Sequence, residues 1–400
     1  MDTYLQYLKE FISFKSISTD SAYKKELDKT ASWLEALFTQ NGFEAQVITG
    51  YGNPIVLAHF HIDKKLPTCL IYGHYDVQPA DILEGWTSDP FTLRQDGKKL
   101  YGRGVVDNKG QILIHVVSIF ERIKQKKLGM NIIFMIEGGE ETGGTELTRF
   151  VKENKESVSA DFVLISDGEM KGNNPTIEAG LRGGFNCTLT IKTGEKDLHS
   201  GIYGGIASNA AHTLSMIINK TVDSFPLSSK AHPSTNREVG LIPALEVTSI
   251  QAGYQGEGYR NSIPHKASAK INVRIVKSQD PHEIFSQLKE FIKTELPSTC
   301  TFEFTLDHPH NAVKLDLSNE YVKEASSILK KVYGKEPLFT YSGGAIPIVD
   351  EFNTTLKIPT LLVNLANEDC NMHGVDENFD IEFIEKGLAF STLFFETTNK

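Results

Sequence analysis

Two adjacent carboxylates, Glu140 and Glu141, stand among glycines just after the apolar run at residues 131–136. Like charges so close together repel and raise one pKa unless a cation lies between them. Other stretches carry residues of the same chemical kind. His74 and Asp76 follow the apolar residues 69–72, and Asp167 follows residues 162–165. Asp107 sits in Gly102-Arg103-Gly104-Val105-Val106-Asp107-Asn108-Lys109-Gly110, and His373 in Met372-His373-Gly374. His74, His373, Asp107, Glu141 and Asp167 together offer two imidazoles and three carboxylates. Two divalent ions sharing a bridging carboxylate need about that many ligands. Glu140 is then left over as general base on a metal-bridging water, removing its proton and returning it to a leaving amine. Imidazole with carboxylate suits Zn²⁺, and the number of oxygen donors also admits Mn²⁺ or Co²⁺.

Each of these residues alone has a plainer explanation. Glu140-Glu141 could be an acidic surface turn, and His373 a surface imidazole. His74 and Asp76, two apart, share one face if strand geometry continues through them. Asp76 could then fix the tautomer of His74, or the two could be a surface pair. Asp107 could cap the helix that follows it, or be a ligand held by the glycine-rich backbone. A phosphate loop is excluded there: no buried strand leads directly into a Gly-x-Gly-x-x-Gly helix start, and Asp107 occupies the third glycine position.

The elements that must position these residues favour a site. Residues 4–14, 26–41 and 109–125 have the apolar spacing of helices, with Ile112, Val116, Ile119 and Ile123 on one face of the last. Short apolar strands are predicted at 55–60, 68–72, 131–136 and 162–165, and a helix near 144–154. Strands alternating with helices imply an α/β domain with a doubly wound, mainly parallel sheet. Three strands of that sheet each deliver a candidate ligand at the carboxyl end, where open α/β sheets place their active sites.

From about Leu181 the rhythm changes. Strands at 185–192, 244–250, 267–276 and 301–306 with helices at 206–219 and 281–296 give β-α-β-β-α-β, the order of a ferredoxin-like α+β domain. A helix at 319–333 and strands at 338–341 and 360–363 then read as a return to the first domain. The expected organisation is a catalytic domain in two parts, 1–180 and 309–400, interrupted by an inserted domain at 181–308. Four hundred residues exceed what one core usually organises.

Composition narrows the partners. The net charge of −10 argues against nucleic acid or an anionic membrane surface. Lys124-Gln125-Lys126-Lys127 closes a helix more naturally than it binds phosphate. No stretch approaches 18 consecutive apolar residues, and the N-terminus lacks the pattern of a signal peptide. Cys69, Cys187, Cys300 and Cys370 lie far apart without CxxC spacing, as buried thiols of a reducing compartment would. A cytoplasmic protein is expected.

At the level of motifs the chain resembles the M20 metallopeptidases, in particular their carnosine-type and cytosolic non-specific dipeptidase branch. The matching stretches are Gly73-His74-Tyr75-Asp76-Val77-Gln78-Pro79, the glycine-rich segment ending at Gly110, and Glu137-Gly138-Gly139-Glu140-Glu141-Thr142-Gly143-Gly144. Ser166-Asp167-Gly168, Asp197-Leu198-His199-Ser200-Gly201, Ser262-Ile263-Pro264, Gly343-Gly344-Ala345-Ile346-Pro347 and His373-Gly374 follow in family order. The resemblance implies a catalytic domain of the zinc-peptidase type and two divalent ions per subunit. Asp107 bridges them, His74 and Asp167 complete one site, and Glu141 and His373 the other. Glu140 is the base, Asp76 supports His74, and the Asp107-Asn108 peptide is cis.

The resemblance also makes the inserted domain a lid that forms a homodimer. His199 stabilises the oxyanion from the partner subunit, Asn261 and Arg274 contact substrate, and Gly344 and Ala345 belong to the substrate-binding set. Arg274 would pair with the peptide's terminal carboxylate. The implied activity is hydrolysis of dipeptides or short peptides. An N-acyl-amino-acid deacylase or succinyl-diaminopimelate desuccinylase is the alternative, but those relatives more often carry Gly-Gly-Thr-Ser and His-x-Asp-Val-Val-Pro. An inactive binding scaffold on the same fold predicts loss of a ligand or of the base, and none is missing. Ala345 stands where many dipeptidases of this branch have Ser, and Val375-Asp376-Glu377 where Pro-Asn-Glu is common. These departures concern the substrate and leave the metal ligands intact.

Overall fold

Uninterrupted apolar runs build the centre of the first unit. In the computed structural model, which describes residues 1–143, 146–225, 227, 236–344 and 346–396, Asn131–Glu137, Thr68–His74, Phe162–Ile165 and Thr360–Asn364 lie side by side and parallel. Nearly every residue in these strands is buried, as parallel strands covered on both faces require. Antiparallel strands extend the sheet at both edges. Ile55–Phe60 and then Glu44–Ile48 lie beyond Asn131–Glu137, and Thr176–Leu181 lies beyond Thr360–Asn364. The helices Asp2–Ser13, Lys24–Gln40, Lys109–Lys124, Glu320–Tyr333 and Ile381–Phe394 join the same buried apolar cluster. No helix among the described residues is long and apolar enough to cross a membrane.

By its contacts the chain divides into two compact units, Met1–Ala179 with Leu315–Thr340 and Glu351–Lys400, and Gly180–Lys314 with Tyr341–Asp350. In the second, an antiparallel sheet runs in the order Ala244–Ala252, Lys266–Ile275, Gly183–Lys192 and Thr301–His310. Helices Ala210–Ser224 and Pro281–Glu295 complete the β-α-β-β-α-β order of a ferredoxin-like sandwich. Asp280 caps the second helix, accepting from the amides of His282 and Glu283 at 2.9 Å each, and Pro281 opens it. This unit is larger than residues 181–308. His310 still pairs with Gly184, so the pairing of this sheet runs past 308. Tyr341–Asp350, assigned from the sequence to the catalytic domain, groups here because Tyr341 and Ser342 lie against Gly240.

All four cysteines are free and buried. His115, inside Lys109–Lys124, is fully buried between Ser166 Oγ at 2.9 Å and Ser391 Oγ at 3.1 Å. Burial lowers its pKa from 6.5 to about 3. Between those values the unfolded chain binds a proton that the folded chain does not, so stability falls as pH drops through that window. His115→Gln is expected to lose about 3 kcal/mol less stability than the parent between pH 7 and pH 4. Urea titrations at both pH values measure this, and equal losses in the two proteins would count against it.

Candidate metal centre

The sheet brings the ends of three parallel strands into line. Tyr72 pairs with both Met135 and Ile165, and His74 pairs with Glu137, so all three strands finish at the same edge. His74 is the last residue of its strand, Asp167 follows the next one by two positions, and Glu140–Thr142 forms a single turn after Gly138-Gly139. Gly138 has to be glycine, since a Cβ there would fall 2.3 Å from the Tyr75 hydroxyl, which is buried and donates to Pro54 O. Asp107 does not cap the helix that follows. Asn108 holds that position without a side-chain cap, and the Asp107-Asn108 peptide is cis.

Two ligand clusters share Asp107. His74 Nε2 lies 3.0 Å from Asp107 Oδ1 and 3.6 Å from Asp167 Oδ2. His373 Nε2 lies 2.7 Å from Asp107 Oδ2 and 3.4 Å from Glu141 Oε2. Within each trio the donor atoms lie within 4.8 Å of one another. Glu140 belongs to neither. The adjacent carboxylates of the sequence therefore separate, with one inside a ligand cluster and the other outside both.

Several buried side chains hold this arrangement. Asp76 lies 3.4 Å from His74 Nδ1, which bonds instead to Asp76's own carbonyl at 3.0 Å. Its carboxylate accepts the backbone amides of Glu140 at 3.2 Å and Glu141 at 3.1 Å. Asp76 thus orients the acidic turn as well as the imidazole. Asn108 donates to Asp167 Oδ1 at 2.9 Å and to Ser166 O at 2.6 Å, and Gln78 donates to Glu141 Oε2 at 2.6 Å. The fully buried Glu377 accepts the amides of Gly104, Val106 and Asp107.

The electrostatics call for positive charge. Burial raises Glu141 to about 7, reinforced by Asp107. Burial raises Glu140 as well, and Asp167, Asp107 and Glu141 add to that against the opposing pull of His74. Burial would also raise Asp107, but the imidazoles of His373 and His74 beside it hold it well below the usual range. Burial alone would lower His74, yet Asp167, Asp107 and Asp76 outweigh it and the pKa rises. His373 is raised mainly by its bond to Asp107. His74 Nε2, which faces Asp107 and Asp167, and Glu141 Oε1 are buried without a well-aligned hydrogen-bond partner among the described residues. Such atoms are costly unless something else binds them. The donor set of imidazole nitrogens and carboxylate oxygens fits divalent cations.

Comparison with known proteins agrees with this chemistry. Residues 70–397 match the profile of peptidase family M20/M25/M40. The chain belongs to the M20 peptidases. Among M20 relatives, Cys-Gly metallodipeptidase DUG1 of Saccharomyces cerevisiae is 27% identical over 95% of this chain and 92% of its own. The Beta-Ala-His dipeptidase of Mus musculus is 28% identical over 87% and 80%. Among solved structures, the M20 family metallo-carboxypeptidase Sso-CP2 from Sulfolobus solfataricus superposes with a TM-score of 0.87 at 26% identity, covering 99% of each chain.

The other residues that the motif resemblance singles out fall in the second unit and are described within it. Leu198–His199 pairs with Ser262–Ile263, and Asp197 clamps that ladder through His265 Nδ1 at 2.7 Å. His199 and Asn261 are exposed, the former accepting from Gly201 N at 3.0 Å. Arg274 is half-buried and donates to Asn272 Oδ1 at 3.1 Å. Gly344 is exposed, with its amide on Ser342 Oγ at 3.0 Å. Ala345 and Gly144 lie outside the described residues. Sequence reasoning missed the supporting roles of Asn108, Gln78 and Glu377. Gln78 and Asn108 lie inside the matching stretches and Glu377 four residues after His373, but a side-chain amide or carboxylate in a loop gives no sign of which distant group it will meet.

Proposed function

We propose that this M20 chain hydrolyses the peptide bond of dipeptides or short peptides, using two divalent cations held by His74, Asp107, Asp167, Glu141 and His373. The observation that carries this reading is the division of Asp107 between two ligand clusters, with Glu140 beside them and in neither. When bound, such cations lower the pKa of water and polarise the scissile carbonyl. Glu140 takes a proton from the attacking water and delivers it to the leaving amine. Asp76 keeps the turn bearing Glu140 and Glu141 in place through their amides. Zn²⁺ is our first choice of metal, with Mn²⁺ or Co²⁺ next, because the donors are nitrogen and oxygen only.

The relatives named above support peptide substrates, since two are named as dipeptidases and one as a carboxypeptidase. We extend the reading to the second unit as a lid and homodimerisation domain. There His199 stabilises the oxyanion in the partner's site, and Asn261, Arg274, Gly344 and Ala345 meet the substrate. Exposure of His199 and Asn261 supports this role. Four free, buried thiols support a cytoplasmic setting.

The test is amine release from a panel of dipeptides and a panel of N-acyl amino acids, measured on protein stripped by chelation and then reconstituted with Zn²⁺ or Mn²⁺. Turnover of dipeptides above N-acyl amino acids is expected. The reverse preference would assign the chain to deacylation, and no turnover of either would refute the reading.

A further inference from the structure

We infer that Arg103 and Glu377 form a positioning element that fixes Asp107 against His373, with Arg103 acting on the Asp107–Glu141–His373 cluster alone. This rests on the metal-binding reading given above.

Glu377 is wholly buried and its acceptor capacity is filled. Oε1 takes the amides of Val106 at 2.9 Å and Asp107 at 3.1 Å, while Oε2 takes the amide of Gly104 and Arg103 Nη1, both at 2.9 Å. A carboxylate offers about four lone-pair sites. The segment that carries Asp107 therefore cannot shift without leaving buried amides unpaired, which is costly. The same guanidinium has a second arm. Arg103 Nη2 donates to His373 O at 3.2 Å and Pro79 O at 3.4 Å, and the group lies over the Trp86 ring at 5.1 Å. One buried fork thus joins the backbone under Asp107 to the backbone of His373.

The other cluster does not need this tether. His74 ends a strand, and Asp167 follows one and is held by Asn108. His373 has no such support, because its side chain is 55% exposed and its loop has no regular structure. Its own φ is +62°, with Asn371 and Asp376 both at +55°, in a region that residues other than glycine seldom occupy. Lysine at position 103 would keep the charge facing Glu377 but cannot span both partners, since an ammonium lacks the rigid fork.

The experiment is Co²⁺ titration of chelator-stripped protein, read by visible absorption and by competition with a chelating dye. The parent should bind two ions; fewer than two would refute the metal-binding reading itself. Arg103→Lys should weaken one of the two ions about 10–100-fold and the other less than about 3-fold. The metal-free melting temperature should stay within a few degrees of the parent. Glu377→Gln should weaken both ions, because Asp107 serves both clusters. Equal weakening of both ions by Arg103→Lys, or no weakening by either substitution, would overturn the inference. If a variant does not fold, amide exchange on the metal-free parent decides. The amides of Val106 and Asp107 should already exchange slowly, and protection that arises only on adding Co²⁺ would show that metal, not Glu377, sets the segment.

Discussion

Glu140→Gln should lower kcat by about 10²–10⁴-fold and leave the metal content where it is in the parent. Glutamine keeps the size and shape of the side chain but cannot take a proton from water. The residue stands outside both ligand clusters, so its loss as a base should not be a loss of metal. Its backbone amide remains on Asp76, which holds the turn and with it Glu141. KM should change much less than kcat, since an interaction made only in the transition state is being removed. Rate assays paired with elemental analysis decide the point. Appreciable metal loss in the variant would make Glu140 a ligand and leave the base unassigned.

Asp107→Ala should be more severe, with metal content falling at both sites and activity dropping about 10³-fold or more. The reason is geometric. Oδ1 faces His74 and Oδ2 faces His373, so one truncation removes an oxygen from each cluster. It also removes the carboxylate that stands beside both imidazoles. His373→Ala, by contrast, removes a donor from only one trio. Retention of one fully occupied site in Asp107→Ala would contradict the sharing of that carboxylate.

Much of the catalytic unit was legible because its strands are buried on both faces. Asn131–Glu137 and Phe162–Ile165 read as continuous apolar runs, and their endings pointed to the site. Glu44–Ile48 escaped notice as a short edge strand whose residues are exposed or only half-buried. Thr176–Leu181 was hidden by Glu178 and Gly180, although the strand is wholly buried. Glu178 is tolerated there because Asn364 Nδ2 and Thr340 Oγ1 donate to it at 2.9 and 3.2 Å. A pairing that depends on residues so distant in sequence leaves no local signal.

The site was read in the same uneven way. The candidate ligands were visible as residue types at strand ends, but their supports were not. Spacing suggests Asp76 as a partner of the imidazole two residues before it. Its stronger contacts are with amides more than sixty positions away. Glu377 looked like the tail of an altered motif, and only its burial beneath Gly104, Val106 and Asp107 gives it a function.

The most direct test is dipeptide hydrolysis followed through exhaustive chelation and metal readdition, with ion content counted at each step. Activity should vanish on stripping and return as the second equivalent of Zn²⁺ or Mn²⁺ binds. Unchanged hydrolysis by protein shown to be metal-free would contradict the two-ion site built on Asp107.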